Sequence, residues 1–187
     1  MYKLCKTEQA AKRQRQLENG LLNAMLHTRY EDISISELCD DLQIPRKSFY
    51  RYFSSKDGAL FALIDHTIMD FQSTADDTSF RGSNALGDLE QYFIFWDNHR
   101  DFLKALQRSQ LSGLLVERST NIAMQERMMP RYLLALEPSA QRMALCFAVC
   151  GLYSMVLAWQ EGGFRESALE MSQLATSLLT RPLVPGF

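Results

Sequence analysis

The chain has 187 residues, enough for one compact protein or two small domains sharing an interface. At 47% hydrophobic and 22% charged, its composition is that of an ordinary globular protein and excludes a disordered one. The formal net charge of −2 excludes a global field toward nucleic acid, so any such surface must be local.

The opening run MYKLCKTEQAAKRQRQ has no apolar core and no cleavage site, so no signal peptide is expected and the protein is placed in the cytoplasm. The periodicity then predicts a helix from about Thr7 to His27, with Leu17, Leu21, Leu22, Met25 and Leu26 as its inner face. Ser34 followed by Glu37 is a capping box, in which the serine oxygen takes an orphan backbone N–H and the glutamate reaches back to the cap. From there Ile35, Leu38, Cys39 and Leu42 give one apolar stripe on a short helix. Pro45 suits the start of a second short helix, because its missing N–H would have no partner there.

That second helix, about 45–53, buries Phe49 and Phe53 and leaves Arg46, Lys47, Ser48, Tyr50, Arg51 and Tyr52 outward. Residues 1–70 hold ten Lys/Arg and ten Asp/Glu, but in different places. The acids gather at Glu31-Asp32 and Glu37-Asp40-Asp41, the bases in the N-terminal arm (Lys3, Lys6, Lys12, Arg13, Arg15) and on the second helix. Two short helices at an angle, the second basic and half-exposed, suit a helix-turn-helix reading the DNA major groove. Base-edge contacts are assigned to Arg46, Lys47 and Ser48, with Tyr50 and Arg51 alongside. Lys56, the hydroxyls of Ser34, Ser36 and Tyr50, and the basic arm are candidates for phosphate contacts.

The run IPRKSFYRYFSSKDGALFALID resembles the signature of the tetracycline-repressor (TetR/AcrR) family of bacterial transcription regulators. Ile44, Tyr50, Tyr52, Phe53 and Lys56 stand at the family's positions, and the likeness spans about residues 10–66. The chain departs from the pattern at Gln43, where a turn glycine is common, and at Pro45 and Lys47, where Ser/Thr and Gly are common. Lacking that glycine, the turn must accommodate any positive φ in another way.

A fourth helix, about 56–71, carries Leu60, Leu63, Ile64, Ile68 and Phe71, and connects residues 1–55, the DNA-binding domain, to a second domain over 72–187. The polar run STADDTSFRGSN marks the boundary. Helices are expected near 84–98, 100–108, 110–118, 120–135, 138–161 and 167–180, making about nine in an all-α protein. Pro138 and Gly162-Gly163 bracket the penultimate one, and Ser167 with Glu170 caps the last.

The segment Met143–Gln160 has eighteen residues, no charge, and apolar side chains on every side. Such a helix must be covered all round, in a core or in a membrane. A small chain can hardly surround its own helix, so a partner subunit is the expected cover. The small stripe Ala140, Ala144, Ala148, Gly151 and Met155 is the candidate dimer face, with Met171, Leu174 and Leu178 of the last helix beside it. AWQEGGFRESALEMSQL also resembles the family's C-terminal end, which implies a four-helix dimer bundle.

Cys5, Cys39, Cys146 and Cys150 form no CxxC pair and have no histidine at ligand spacing, so they read as small buried hydrophobes with no metal and no cofactor. No nucleophile–base pair or Gly-rich phosphate loop suggests an enzyme. The resemblance implies a dimeric regulator bound to double-stranded DNA, most often a repressor released from a pseudo-palindromic operator by an effector. The uncharged helix cores favour a small, largely apolar effector, and Trp96, His99, Phe102, Met124, Met128, Phe147 and Tyr153 are the candidate pocket residues. The alternative is a second domain that binds a protein partner; a closed cavity would favour a small ligand and a flat apolar surface a protein.

Overall fold

A computed structural model describes residues 1–3, 5–77, 85–125 and 135–180. Within them the chain forms α1 (Glu8–His27), α2 (Ile35–Asp41), α3 (Arg46–Tyr52), α4 (Lys56–Asp77), α5 (Ala85–Asn98), α6 (Arg100–Arg108), α7 (Ser112–Gln125), α8 (Pro138–Glu161) and α9 (Ala168–Thr180). One turn of 3-10 helix, Tyr30–Asp32, joins α1 to α2. The architecture is all-α, as the periodicity implies; among the described residues, strand-like pairing is limited to a bridge between Tyr2 and Phe53.

The chain divides into two compact units, Met1–Ile68 with Lys104–Leu111, and Met69–Leu103 with the chain from Ser112 onward. The division falls within α4 and within α6. Part of the expected boundary run is helical, since α4 continues to Asp77. Two helices expected over 110–118 and 120–135 are one helix, α7, as far as Gln125, with 126–134 outside the described residues. Thr120 does not cap a new helix: its hydroxyl donates back to the Val116 carbonyl at 2.9 Å and so stays within the turn.

In the first unit, Leu17, Leu21 and Met25 of α1 are fully buried with Cys39, Phe49, Phe53 and Ile64. The Phe49 and Phe53 rings lie 5.1 Å apart. Glu18 is also fully buried, an arrangement that needs a compensating donor. His66 supplies it, with Nδ1 2.9 and 3.0 Å from the two carboxylate oxygens, and Tyr2 packs its ring edge against His66 at 5.5 Å.

In the second unit, α5 packs along α9 and α7 along α8. Its core is aromatic: Trp96 meets Phe95 at 5.1 Å and Tyr153 at 5.3 Å, and Phe93 meets Trp159 at 5.8 Å. Such edge-on pairs contribute about 0.5–1.5 kcal/mol each beyond area burial. α8 opens on Pro138 and stops at Gly162, where the next glycine takes φ +81°. The Ser167–Glu170 cap forms on α9 as expected, with Ser167 Oγ accepting from Glu170 N at 3.2 Å and Glu170 Oε2 accepting from Ser167 N at 2.7 Å. α8 is long and apolar enough to cross a membrane, yet only 28% of that stretch is buried within the chain.

Candidate nucleic-acid interface

The capping box predicted at Ser34 is complete: Ser34 Oγ accepts from Glu37 N at 3.1 Å, and Glu37 Oε2 accepts from Ser34 N at 3.2 Å and from Ser34 Oγ at 2.7 Å. Those bonds to Ser34 hold the Glu37 carboxyl below its ordinary pKa. α2 ends in a Schellman turn, with Ile44 N donating to Cys39 O at 2.9 Å and Gln43 N to Asp40 O at 3.0 Å. The turn needs a left-handed residue, and Gln43 supplies it at φ +53° in place of glycine. Pro45 is the cap residue of α3 rather than its first helical residue, with φ −64° and ψ 138°.

From that fixed start α3 buries Phe49 and Tyr52 and presents Arg46, Lys47, Tyr50 and Arg51 to solvent, with Ser48 half-buried. Tyr50 is 52% exposed. Tyr52 corrects the sequence expectation: it is buried, and its carbonyl accepts the Lys3 amide at 3.0 Å, so only one of the two tyrosines faces outward. Ser36 is half-buried in the first turn of α2. Ser34 is exposed, but its hydroxyl is committed to the cap.

Lys56 corrects a second expectation. Its ammonium donates to the carbonyls of Tyr30 at 2.6 Å, Glu31 at 3.1 Å and Ile33 at 2.6 Å, and lies 4.5 Å from the Tyr30 ring centroid. An ammonium has three protons, and all three are used. Lys56 therefore ties α4 to the α1–α2 link, with its protons committed within the chain. Tyr30 is held further by its hydroxyl, which donates to Asp57 at 2.6 Å, and by its amide, which donates to Ser109 Oγ at 2.9 Å.

The basic arm is ordered against α3 and α4. Ser54 N donates to Met1 O at 3.1 Å, Ser54 Oγ donates to the same carbonyl at 2.8 Å, and the Tyr2 hydroxyl donates to Asp65 at 2.8 Å.

The candidate effector residues fall into separate groups. Trp96, Phe102 and Tyr153 are buried together, the first two stacked at 6.2 Å; Met124 is half-buried. His99 stacks on Phe95 at 4.0 Å and places Nδ1 2.7 Å from the Phe95 carbonyl, which fixes it at the α5–α6 corner. Phe147 is 62% exposed on α8 and lines no core, a third correction; Met128 lies outside the described residues. Sequence reasoning missed the polar atoms of this core: Tyr92 Oη, Trp96 Nε1 and Ser119 Oγ are buried, with Tyr92 beside Trp96 and Tyr153 beside Ser119. Burial holds the Tyr92 phenol well above its ordinary pKa, so it stays a neutral donor.

The residues expected at a dimer face differ in exposure, and Gly151 is the exposed one among those on α8. Ala140, Ala144, Ala148 and Met155 are half-buried, whereas Met143 (71%), Phe147 (62%), Cys150 and Gly151 form the exposed stripe of α8. Cys150 is thus not the buried hydrophobe expected of it. On α9, Met171 is buried, while Leu174 and Leu178 are exposed with Leu169 and Leu179.

No family model and no curated protein matches the chain in sequence. Solved structures match it in fold. The fatty acid degradation regulator FadR from Bacillus halodurans superimposes with a TM-score of 0.64 at 11% identity, over 96% of this chain and 98% of that one. The transcriptional regulator FadR from Bacillus subtilis, in complex with stearoyl-CoA, gives 0.60 at 14% identity, over 88% and 96%. A TetR-family transcriptional regulator from Streptomyces coelicolor gives 0.57 at 24% identity, over 88% of this chain and 77% of that one. The chain has the fold of the TetR-like transcriptional regulators.

Proposed function

We propose that the protein is a dimeric, effector-responsive regulator that binds a pseudo-palindromic DNA site through α3 and acts as a repressor. The observation that carries this reading is the split of α3: Phe49 and Tyr52 anchor it, and Arg46, Lys47, Tyr50 and Arg51 stand free along the other side. Arginine and lysine suit guanine O6/N7, and a tyrosine ring packs on a thymine methyl. One such helix reads only a few base pairs, so specificity requires two linked heads. The exposed apolar stripes of α8 and α9 supply a surface for that second copy. Among the described residues, most exposed large apolar side chains lie on those two helices, which favours a dimer over a separate protein-docking surface.

For the effector we assign a small, largely apolar molecule with a hydrogen-bond acceptor. The buried Tyr92 hydroxyl and Trp96 indole N–H offer polar points for an acceptor within the cluster, and the surrounding rings support the apolar part. The stearoyl-CoA held by the Bacillus subtilis FadR structure shares only its acyl chain with that class, since its CoA half is large and phosphorylated.

Selection of bound sequences from random duplex DNA at defined salt tests the reading. A pseudo-palindromic consensus is expected; purely non-specific binding overturns it. Release of that consensus DNA by a long-chain fatty acid is the expected effector response, with an acyl-CoA and a panel of unrelated apolar molecules as the comparison.

A further inference from the structure

A groove of about 670 Å³ runs between the N-terminal arm, the start of α1 and the end of α3. Five basic residues line it, Lys3, Lys6, Lys12, Arg13 and Arg51, and no acid does. Lys12 is paired with Glu8 at 2.9 Å and Arg13 donates to Gln16 at 2.6 Å, which leaves Lys3, Lys6 and Arg51 with neither a described ion pair nor a described side-chain hydrogen bond. Lys3 and Lys6 are exposed. Thr7, which caps the twenty-residue α1, lines the same groove, so the positive end of a long helix adds to the field.

The first residue of the arm sits in a notch on α4. Gly58 in the first turn of α4 lies so close to Met1 that a Cβ there would sit 2.6 Å from the Met1 carbonyl oxygen. That neighbour is backbone, and it is already bonded to Ser54. Any side chain at position 58 must therefore displace the arm.

We propose that this groove is a DNA-backbone site of its own, taking phosphates of the strand beside the one α3 reads, and that Gly58 is the positioning residue that aligns it. The proposal rests on the DNA-binding reading above. Arg51 belongs to both surfaces and joins them: it lines the groove and stands on α3. Phosphate contacts of this kind add affinity without sequence information.

The test uses the full chain and its selected consensus DNA, with affinity measured across a range of salt. Each phosphate neutralised contributes about 0.9 to the log–log salt slope. The double variant Lys3→Ala/Lys6→Ala is expected to flatten the slope by about two units and to weaken consensus and random DNA equally. Gly58→Ala is expected to flatten the slope too, with the base preference of α3 kept. An unchanged slope in the exposed double variant, with consensus binding intact, overturns the groove and leaves the regulator reading standing. Absence of any DNA binding by the unaltered protein overturns both.

Discussion

Lys56 Nζ lies 2.6 Å from the main-chain oxygen of Ile33, across 23 residues of chain. With the bonds to Tyr30 and Glu31, this makes the ammonium a clamp on the corner that sets the angle of α2. Charge-assisted bonds of this type contribute about 1.5–3 kcal/mol, and a carbonyl left buried without a partner adds a further penalty. Lys56→Met should lower unfolding stability by about 2 kcal/mol in urea titration. Its effect on DNA should be a uniform loss of competent protein, with the salt slope unchanged. A slope reduced by one unit with full stability would return Lys56 to the phosphate.

The α2–α3 turn holds a correctable strain. An L-residue in the left-handed region costs about 1–2 kcal/mol, and Gln43 sits there at φ +53° with an exposed side chain. Part of that cost is recovered by glycine and part is offset by the freer unfolded chain. Gln43→Gly should raise stability by about 1 kcal/mol and leave the Schellman bonds of Ile44 and Gln43 in place. A destabilised variant would mean that the glutamine side chain holds the turn.

Two capping boxes give the protein a defined acid sensitivity. Glu37 and Glu170 are held below the ordinary glutamate value of 4.5 by bonds to Ser34 and Ser167. A depressed folded-state pKa adds stability that is fully present above the unfolded value and is lost as pH falls through the folded one. Stability should therefore decline from about 4.5 downward, by an amount kept small by solvent screening at these exposed carboxylates. Glu37→Gln/Glu170→Gln should flatten that part of the profile while keeping the caps' geometry. Urea midpoints measured on both sides of pH 4.5 read the difference.

What could be read in advance was what a few neighbouring residues decide. Ser34 with Glu37 and Ser167 with Glu170 announce helix starts because both partners sit in one turn. Phe49 and Phe53 announce a buried side because they lie a turn apart. Tyr50 and Tyr52 could not be separated that way, since the arm whose Lys3 amide bonds the Tyr52 carbonyl comes from the other end of α1. The Glu18–His66 pair joins residues 48 apart, and no local pattern signals it. On α8 the sequence is apolar on all sides, so periodicity had nothing with which to choose the exposed stripe. Lys104–Leu111, in the first unit, carries no sign of that membership either.

Arg46 is the first residue of α3, exposed, and adjacent to the turn that fixes the helix start. A guanidinium there suits a bidentate contact with guanine, worth about 1–3 kcal/mol of discrimination. Arg46→Ala should lower affinity for the consensus by that amount and relax preference at one position in each half-site. Affinity for random DNA should change much less. Equal losses on both would assign Arg46 to the backbone and leave the base reading to Lys47 and Tyr50.

The exposed face of α8 gives the dimer its most direct test. Met143 and Phe147 are four residues apart, one helical turn, and are 71% and 62% exposed, so a charged residue at either position disturbs no packing inside the chain. In a dimer the same side chains would be covered, and burying a large apolar side chain contributes about 1.5–3 kcal/mol. A buried carboxylate in its place would remove that gain and add a desolvation cost. Met143→Asp/Phe147→Asp should therefore be folded by far-UV circular dichroism but monomeric by sedimentation velocity. It should also lose most consensus affinity, because each head alone reads half the site. A variant that remains dimeric would move the interface off this stripe, toward the half-buried alanines of the opposite register or onto α9.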